Sequence, residues 1–379
     1  MNPWKENQPI VCHVTTVHQR HDVRIFHKEC RSLANNGYNV VLLVNDTLAN
    51  EALDGVNILS THFKPKHRLD RMINSTRLIK TKIKEVNAHI YHFHDPELLP
   101  VALWTKRQGK SVIFDFHEDV SQQILYKYWI PKPLRKLIAA LYRSYEARLI
   151  GKFDGVISVT PKIVERLKTK NPNAVMVTNY PILKTNRVDD SVTKENIVCF
   201  AGGVVLQWNH HTIMDAIEPL DDVRYELAGK SEATYLEELK NHPAWPKVTY
   251  LGKIPHEAVN HLYAKSKIGL ALLSFETQVG GEGTLGNTKV FEFMEAGLPI
   301  ICSNNKIWTE MVQKYPCGLL VDPSDAEAIR NAIRYYLDHP KEAQTAGLNG
   351  RRAVEDEYNW STQEATLLSL YATVLAKGR

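Results

Sequence analysis

Short apolar, β-branched runs alternate along this chain with longer stretches whose apolar residues recur every three or four positions, the pattern of parallel strands covered by helices. In the first half the pattern predicts strands at 10–17, 38–44, 56–60, 89–93, 111–115, 155–159 and 174–178. In the second half it predicts strands at 197–201, 223–228, 247–251, 268–273, 298–302 and 317–321. A helix is expected from Arg24 to Asn36, stopping at Gly37, which takes the left-handed conformation past a helix end. Residues 179–196, with Pro181 and a polar, charged remainder, break the alternation and read as a linker. The fold class is thus α/β, with two doubly wound, Rossmann-like domains at 1–185 and 186–359. An amphipathic helix at 360–379 is expected to return to the first. Ligands of such sheets bind outside the carboxyl ends of the strands, so the chemistry is expected there, with the domains facing across a cleft.

A chain of 379 residues is long enough for two cores. No unbroken apolar run approaches the ~20 residues needed to span a bilayer, and residues 1–9 are polar, so a cytoplasmic protein is expected. Five cysteines, widely spaced and mostly in apolar runs, predict buried thiols. Charge changes the picture more. Residues 1–185 hold 28 Lys and Arg against 16 Asp and Glu (+12), whereas residues 186–379 hold 19 against 26 (−7). A basic first half calls for an anionic partner. Within it, residues 64–84 space eight basic residues among Leu69, Met72, Ile73, Leu78, Ile79 and Ile83, and residues 126–138 mix aromatics with cations as interfacial segments do. Peripheral docking on the anionic inner face of the cytoplasmic membrane is the expectation. No nucleic-acid partner is expected, because aromatics are not regularly interleaved with basic residues across a strand face.

The densest chemistry lies at 280–303. Glycines 281, 283 and 286 let backbone amides turn toward one point, Asn287 or Thr288 can cap a helix, and Lys289 stands in its first turn. Helix-start amides and a lysine suit a diphosphate, while Glu292, one turn further on the same face, can accept hydrogen bonds from sugar hydroxyls. Gly202 and Gly203, at the end of the second half's first strand, let backbone approach a phosphate, and Lys253 and Ile254, at another strand end, can present backbone groups to a nucleobase. In the first half, loops after three strands gather Arg20, Asp22 and Arg24, then His94 and Asp95, then His117, residues able to handle a hydroxyl and its proton. A metal is not expected. Neither His92, His94 and Asp95 nor His117, Glu118 and Asp119 has the helical His-x-x-x-His spacing, and strand positions are expected to divide such ligands between faces.

The segment Asn287-Thr288-Lys289-Val290-Phe291-Glu292-Phe293-Met294-Glu295-Ala296-Gly297-Leu298-Pro299 resembles the donor-site motif of retaining GT-B fold glycosyltransferases of family 4, the group 1 glycosyl transferases. Further similar passages are Ser32 to Val40, Tyr91 to Glu97, Asp115 to Glu118, Gly318 to Asp325, and Tyr358 to Trp360, so the resemblance covers nearly the whole chain. It implies transfer of a sugar, with retention, from a nucleoside diphosphate donor to a hydroxyl of a glycan or lipid-linked saccharide, in cell-surface polysaccharide or glycoconjugate synthesis. It implies no cofactor beyond the nucleotide-sugar co-substrate. By position, it makes Glu292 the ribose-binding residue and Lys289 a diphosphate contact, and sets His117 near the acceptor. Thr284 stands where many members have a second glutamate, with Glu282 nearby, and Gln207 to His210 stand where many have an arginine and a lysine. A nucleotide-sugar 2-epimerase of the same architecture and a non-catalytic nucleotide-sugar or nucleic-acid binder are the alternatives. Formation of an epimer without acceptor selects the first; salt-sensitive nucleic-acid binding without turnover selects the second.

Overall fold

A computed structural model describes residues 5–116, 119–126, 130–183, 192–277 and 279–378. The chain divides into two compact units, Met1–Asn179 with Trp360–Arg379, and Tyr180–Asn359. The boundary falls at 179/180 rather than after 185, because the Tyr180 ring packs on Phe291 and Tyr358 of the second unit, at 4.8 and 5.5 Å between centroids.

The first unit is built on an eight-stranded sheet: β1 (Ile10–Val14), β2 (Asn39–Val44), β3 (Glu51–Leu53), β4 (Val56–Ser60), β5 (Ile90–Phe93), β6 (Ser111–Phe116), β7 (Gly155–Ser158) and β8 (Ala174–Met176). Their spatial order is β3-β4-β2-β1-β5-β6-β7-β8, parallel except for the β3–β4 pair. Strands buried along their whole length, such as β2 and β5, follow from helices covering both faces. The antiparallel edge strand β3 escapes the hydrophobic pattern because it is short and exposed. The Asp54-Gly55 turn beside it, with φ of 49° and 77°, is the hairpin signal that marks it. The helix expected from Arg24 begins at Val23, wound with π geometry over Val23–Cys30 and α geometry over Arg31–Asn35. The C-terminal helix Trp360–Lys377 contributes Trp360, Leu367, Leu370, Tyr371 and Val374 to the core on one face of this sheet, and Trp360 Nε1 donates to Ser32 Oγ at 2.8 Å.

The second unit has six parallel strands: β9 (Ile197–Ala201), β10 (Arg224–Ala228), β11 (Val248–Gly252), β12 (Ile268–Ala271), β13 (Ile300–Ser303) and β14 (Gly318–Val321), ordered β11-β10-β9-β12-β13-β14. Strand order reverses between β9 and β12, where a doubly wound sheet opens its ligand crevice. The helix Thr288–Glu295 lies hard against β12: a Cβ on Gly269 would come within 2.5 Å of the Phe293 ring. That contact fixes where Lys289 and Glu292 point. All five cysteines are free and buried. Among the described residues, no helix is long and apolar enough to cross a membrane.

Candidate active site

In the second unit, glycines at three adjacent strand ends form a floor. Gly202 N–H donates to Ala228 O (2.9 Å), and Gly229 N–H donates to Gly252 O (2.7 Å). Gly229 has φ of +140°, and a Cβ there would lie 1.6 Å from the carbonyl oxygen of Gly202. Tyr250 Oη donates to Gly229 O at 2.8 Å, holding the turn. A Cβ on Gly202 would stand 1.8 Å from Lys289 Cε and 2.4 Å from its Nζ, so the strand-end glycine leaves the space that the lysine occupies. Gly203 has nothing within 4 Å of that position and stays open.

Lys289 is half-buried, its Nζ 5.7 Å from the Phe200 ring centroid and 5.8 Å from that of Trp208. Two aromatic faces stabilise a cation where water does not fully solvate it. Burial lowers its pKa, with Glu292 opposing. Asn287 caps the helix by accepting from Lys289 N–H at 3.3 Å. Glu292 accepts from Tyr263 Oη at 3.1 Å, a bond that holds one carboxylate oxygen in place. Gly202, Lys289, Asn287 and Glu292 therefore meet at the helix start beside the reversal of strand order. Phe200, Trp208, Gly229 and Tyr263 support them without any local sequence signal.

The remaining second-unit candidates divide. Gly283 has φ of +81° and lies against Asn305, which accepts from Trp308 N–H; Thr284 Oγ1 accepts from Gly286 N–H and Thr284 O accepts from Trp308 Nε1. These two residues shape the loop that precedes the helix, and Thr288 is its first residue. Glu282 pairs with Lys306 at 3.2 Å. Lys253 is exposed, and Ile254 packs on the core. A cavity of about 570 Å³ lined by Lys194, Lys267, Pro299 and Leu348 opens at the opposite, N-terminal ends of the strands, away from this constellation.

The first unit corrects several expectations. Arg20 donates to Asp46, Glu51 and Ala49 O; Asp22 Oδ1 accepts from Arg24 N–H and Ile25 N–H; and Arg24 donates to Asp115 and Val177 O. These contacts give Arg20, Asp22 and Arg24 roles in holding their own unit together. Asp95 is buried and accepts at one oxygen from Thr15 Oγ1, Thr16 N–H, Thr16 Oγ1 and Val17 N–H, while the other lies 3.0 Å from His18 Nδ1. Burial pushes this carboxyl up, but His18 and the loop donors outweigh it and hold it at about 2. It fixes the loop after β1 rather than taking a proton near neutrality. His94 is fully buried, its Nε2 2.9 Å from His13 Nδ1, so its ring faces other side chains of its own unit. His117 lies outside the described residues. His92 and His94 face the same side of the sheet, rings 4.4 Å apart, because positions two apart on a strand share a face. The expectation that the strand would split them fails for that reason.

Two family models match the chain: "Glycosyl transferases group 1" over residues 184–353 and "Glycosyltransferase Family 4" over residues 23–179. The chain belongs to the group 1 glycosyltransferases. This glycosyltransferase is 23% identical over 335 residues to D-rhamnosyltransferase WbpZ of Pseudomonas aeruginosa, a match spanning 80% of each protein. A shorter match, 30% identical over 87 residues, takes in 23% of it and 21% of the MMP alpha-(1→4)-mannosyltransferase of Mycolicibacterium hassiacum. Sucrose-phosphate synthase (tll1590) from Thermosynechococcus elongatus superposes with a TM-score of 0.76 at 18% identity, covering 98% of this chain and 100% of that one. Anabaena Alr3699/HepE in complex with UDP and glucose does so with a TM-score of 0.71 at 12% identity, covering 97% and 100%. These likenesses give the fold, GT-B.

Proposed function

We propose that this glycosyltransferase binds a nucleoside diphosphate sugar in its second unit and passes the sugar, with retention, to a hydroxyl of a glycan or lipid-linked saccharide in cell-surface polysaccharide or glycoconjugate synthesis. The observation that carries this reading is the meeting of Gly202, Lys289 and Glu292 at one helix start. Lys289 and the amides at Gly203 and the helix start neutralise charge that grows on the departing diphosphate. Glu292, steadied by Tyr263, accepts from the ribose hydroxyls. HepE, a neighbour in fold, is held with UDP and glucose. Retention and a place for His117 beside the acceptor rest on the family resemblance alone. Glu292→Gln is expected to raise the donor KM about tenfold with a smaller change in kcat, since one charged hydrogen bond to bound ribose contributes roughly 1.5–3 kcal/mol. Initial rates of nucleoside diphosphate release over a donor series measure it, and an unchanged KM removes Glu292 from the donor.

For the acceptor side we propose docking on an anionic phospholipid surface. Leu69, Met72 and Ile73 are exposed on Arg68–Asp70 and Arg71–Ser75, next to exposed Lys64, Lys66 and Arg68. Leu134, Leu137, Ile138 and Leu141 are exposed on the helix Lys132–Ile150, with Lys132 and Lys136. Residues 127–129 lie outside the described residues. Further along the first segment, Ile79 and Ile83 are buried, Lys80 and Lys84 stand over Trp104, and Lys82 pairs with Glu85. The expected amphipathic helix therefore presents only its first part. Each basic residue near an anionic surface contributes about 1 kcal/mol, so Lys64→Glu with Lys66→Glu is expected to cut flotation with anionic vesicles at low salt by tenfold or more. Flotation equal to the wild type excludes this surface.

A further inference from the structure

We propose that the first unit holds a divalent transition-metal ion, of the zinc or cobalt type, between His13 of β1, His92 of β5, His94 just past the end of β5, and Glu29 of the helix packed over them. All four side chains are wholly buried. One ligand atom from each lies within 4.8 Å of all the others. Glu29 Oε2 is 3.7 Å from His13 Nδ1, 3.7 Å from His92 Nδ1 and 3.9 Å from His94 Nε2. Those separations are too long for hydrogen bonds, and neither Glu29 oxygen accepts one. They are close to the edge of a tetrahedron with metal–ligand bonds of about 2.0–2.1 Å, which is about 3.4 Å. The His13–His94 pair, at 2.9 Å, opens by a few tenths of an ångström to admit the ion.

Chemistry and charge agree with that geometry. Three imidazoles and one carboxylate suit zinc or cobalt, not magnesium or calcium, which take oxygen ligands. Arg24 Nε pairs with Asp115 Oδ2 at 2.9 Å and approaches Glu29 Oε1 at 3.2 Å, so one guanidinium serves two buried carboxylates. A divalent ion supplies the charge that this group lacks. Part of an outer layer is also in place: Tyr371 Oη lies 3.0 Å from His13 Nε2, with the Asp115 carboxylate near His94 Nδ1 but not hydrogen-bonded to it. Partners on the far ring nitrogen orient a ligating histidine. His92 Nδ1 now faces Tyr371 Oη at 2.9 Å and exchanges that contact for the ion. The ion would brace β1, β5 and the helix Val23–Cys30 beneath the loop that Asp95 ties down. All four ligands belong to the first unit and the donor residues to the second, so the site stands or falls independently of the donor assignment.

Burial of all four ligands means that the ion enters as the chain folds, so the test supplies Co²⁺ during expression of the full chain. The wild type is expected to purify with about one equivalent of cobalt, visible tetrahedral d–d absorption, and imidazole scattering from three histidines in X-ray absorption at the cobalt edge. Glu29→Gln and His92→Gln are expected to weaken Co²⁺ binding at least tenfold, by analogy with outer-layer losses of about 10- to 100-fold. A folded wild type without stoichiometric metal, a cobalt spectrum with sulfur ligands, or full binding by both variants overturns the site. Should the variants fail to fold, the wild-type stoichiometry and X-ray absorption decide alone.

Discussion

Gly202→Ala is expected to fold normally and to lose about 100- to 1,000-fold in kcat/KM, matching Lys289→Ala, because both remove the same cation from the developing diphosphate charge. The added methyl would lie 1.8 Å from Lys289 Cε and 2.4 Å from Nζ. Those atoms are the far end of a flexible side chain, so the lysine swings away at little cost to folding. It then leaves its place over Phe200 and Trp208. Since one group is lost by either route, the double variant should be scarcely worse than either single one, the non-additivity expected of residues acting as a unit. Steady-state kinetics of the two single variants and the double variant measure this. Additive losses would mean that Gly202 and Lys289 act on separate parts of the reaction.

Gly229→Ala is expected to do the opposite, damaging the fold itself rather than displacing a flexible side chain. Its methyl would stand 1.6 Å from a backbone oxygen, Gly202 O, on a residue whose φ of +140° already excludes a side chain. Backbone cannot rotate away as a lysine can, so the strand ends β9 and β10 must part and the Gly229–Gly252 hydrogen bond is strained. Backbone strain and overpacking of this kind cost about 2–5 kcal/mol together, which for a unit of this size lowers Tm by roughly 5–15 °C. Gly203→Ala, with nothing within 4 Å, is the control and should unfold within about a degree of the wild type. Calorimetric scans of the two variants compare them directly. A Gly229→Ala protein as stable as the control would show that the glycine floor is not tightly packed.

Most strands were legible because the parallel strands are short, mainly apolar runs, and the helix carrying Lys289 and Glu292 was legible because its cap and glycines are local. What failed was long-range. Arg20, Arg24 and Asp95 have the residue types of an active site, yet they pair with Asp46, Asp115 and Thr16, which are distant in sequence. Tyr263, Trp208 and Gly229 carry no motif, and only the packing of strand ends against the helix gives them a role. His92 and His94 did carry a signal: a His-x-His pair on a buried strand places both rings on one face. His13, on the neighbouring strand, and Glu29, on the covering helix, then complete the group.

The assignment of the donor to the second unit is tested most directly by a thermal-shift screen of nucleotide sugars on the wild type, repeated with Lys289→Ala and Glu292→Ala. At least one nucleotide sugar at about 100 times its Kd should stabilise the wild type by about 2.7 kcal/mol, a rise of several degrees, and both variants should lose most of that rise at the same concentration. Equal stabilisation of all three proteins would contradict the site, as would a wild type that no nucleotide sugar stabilises.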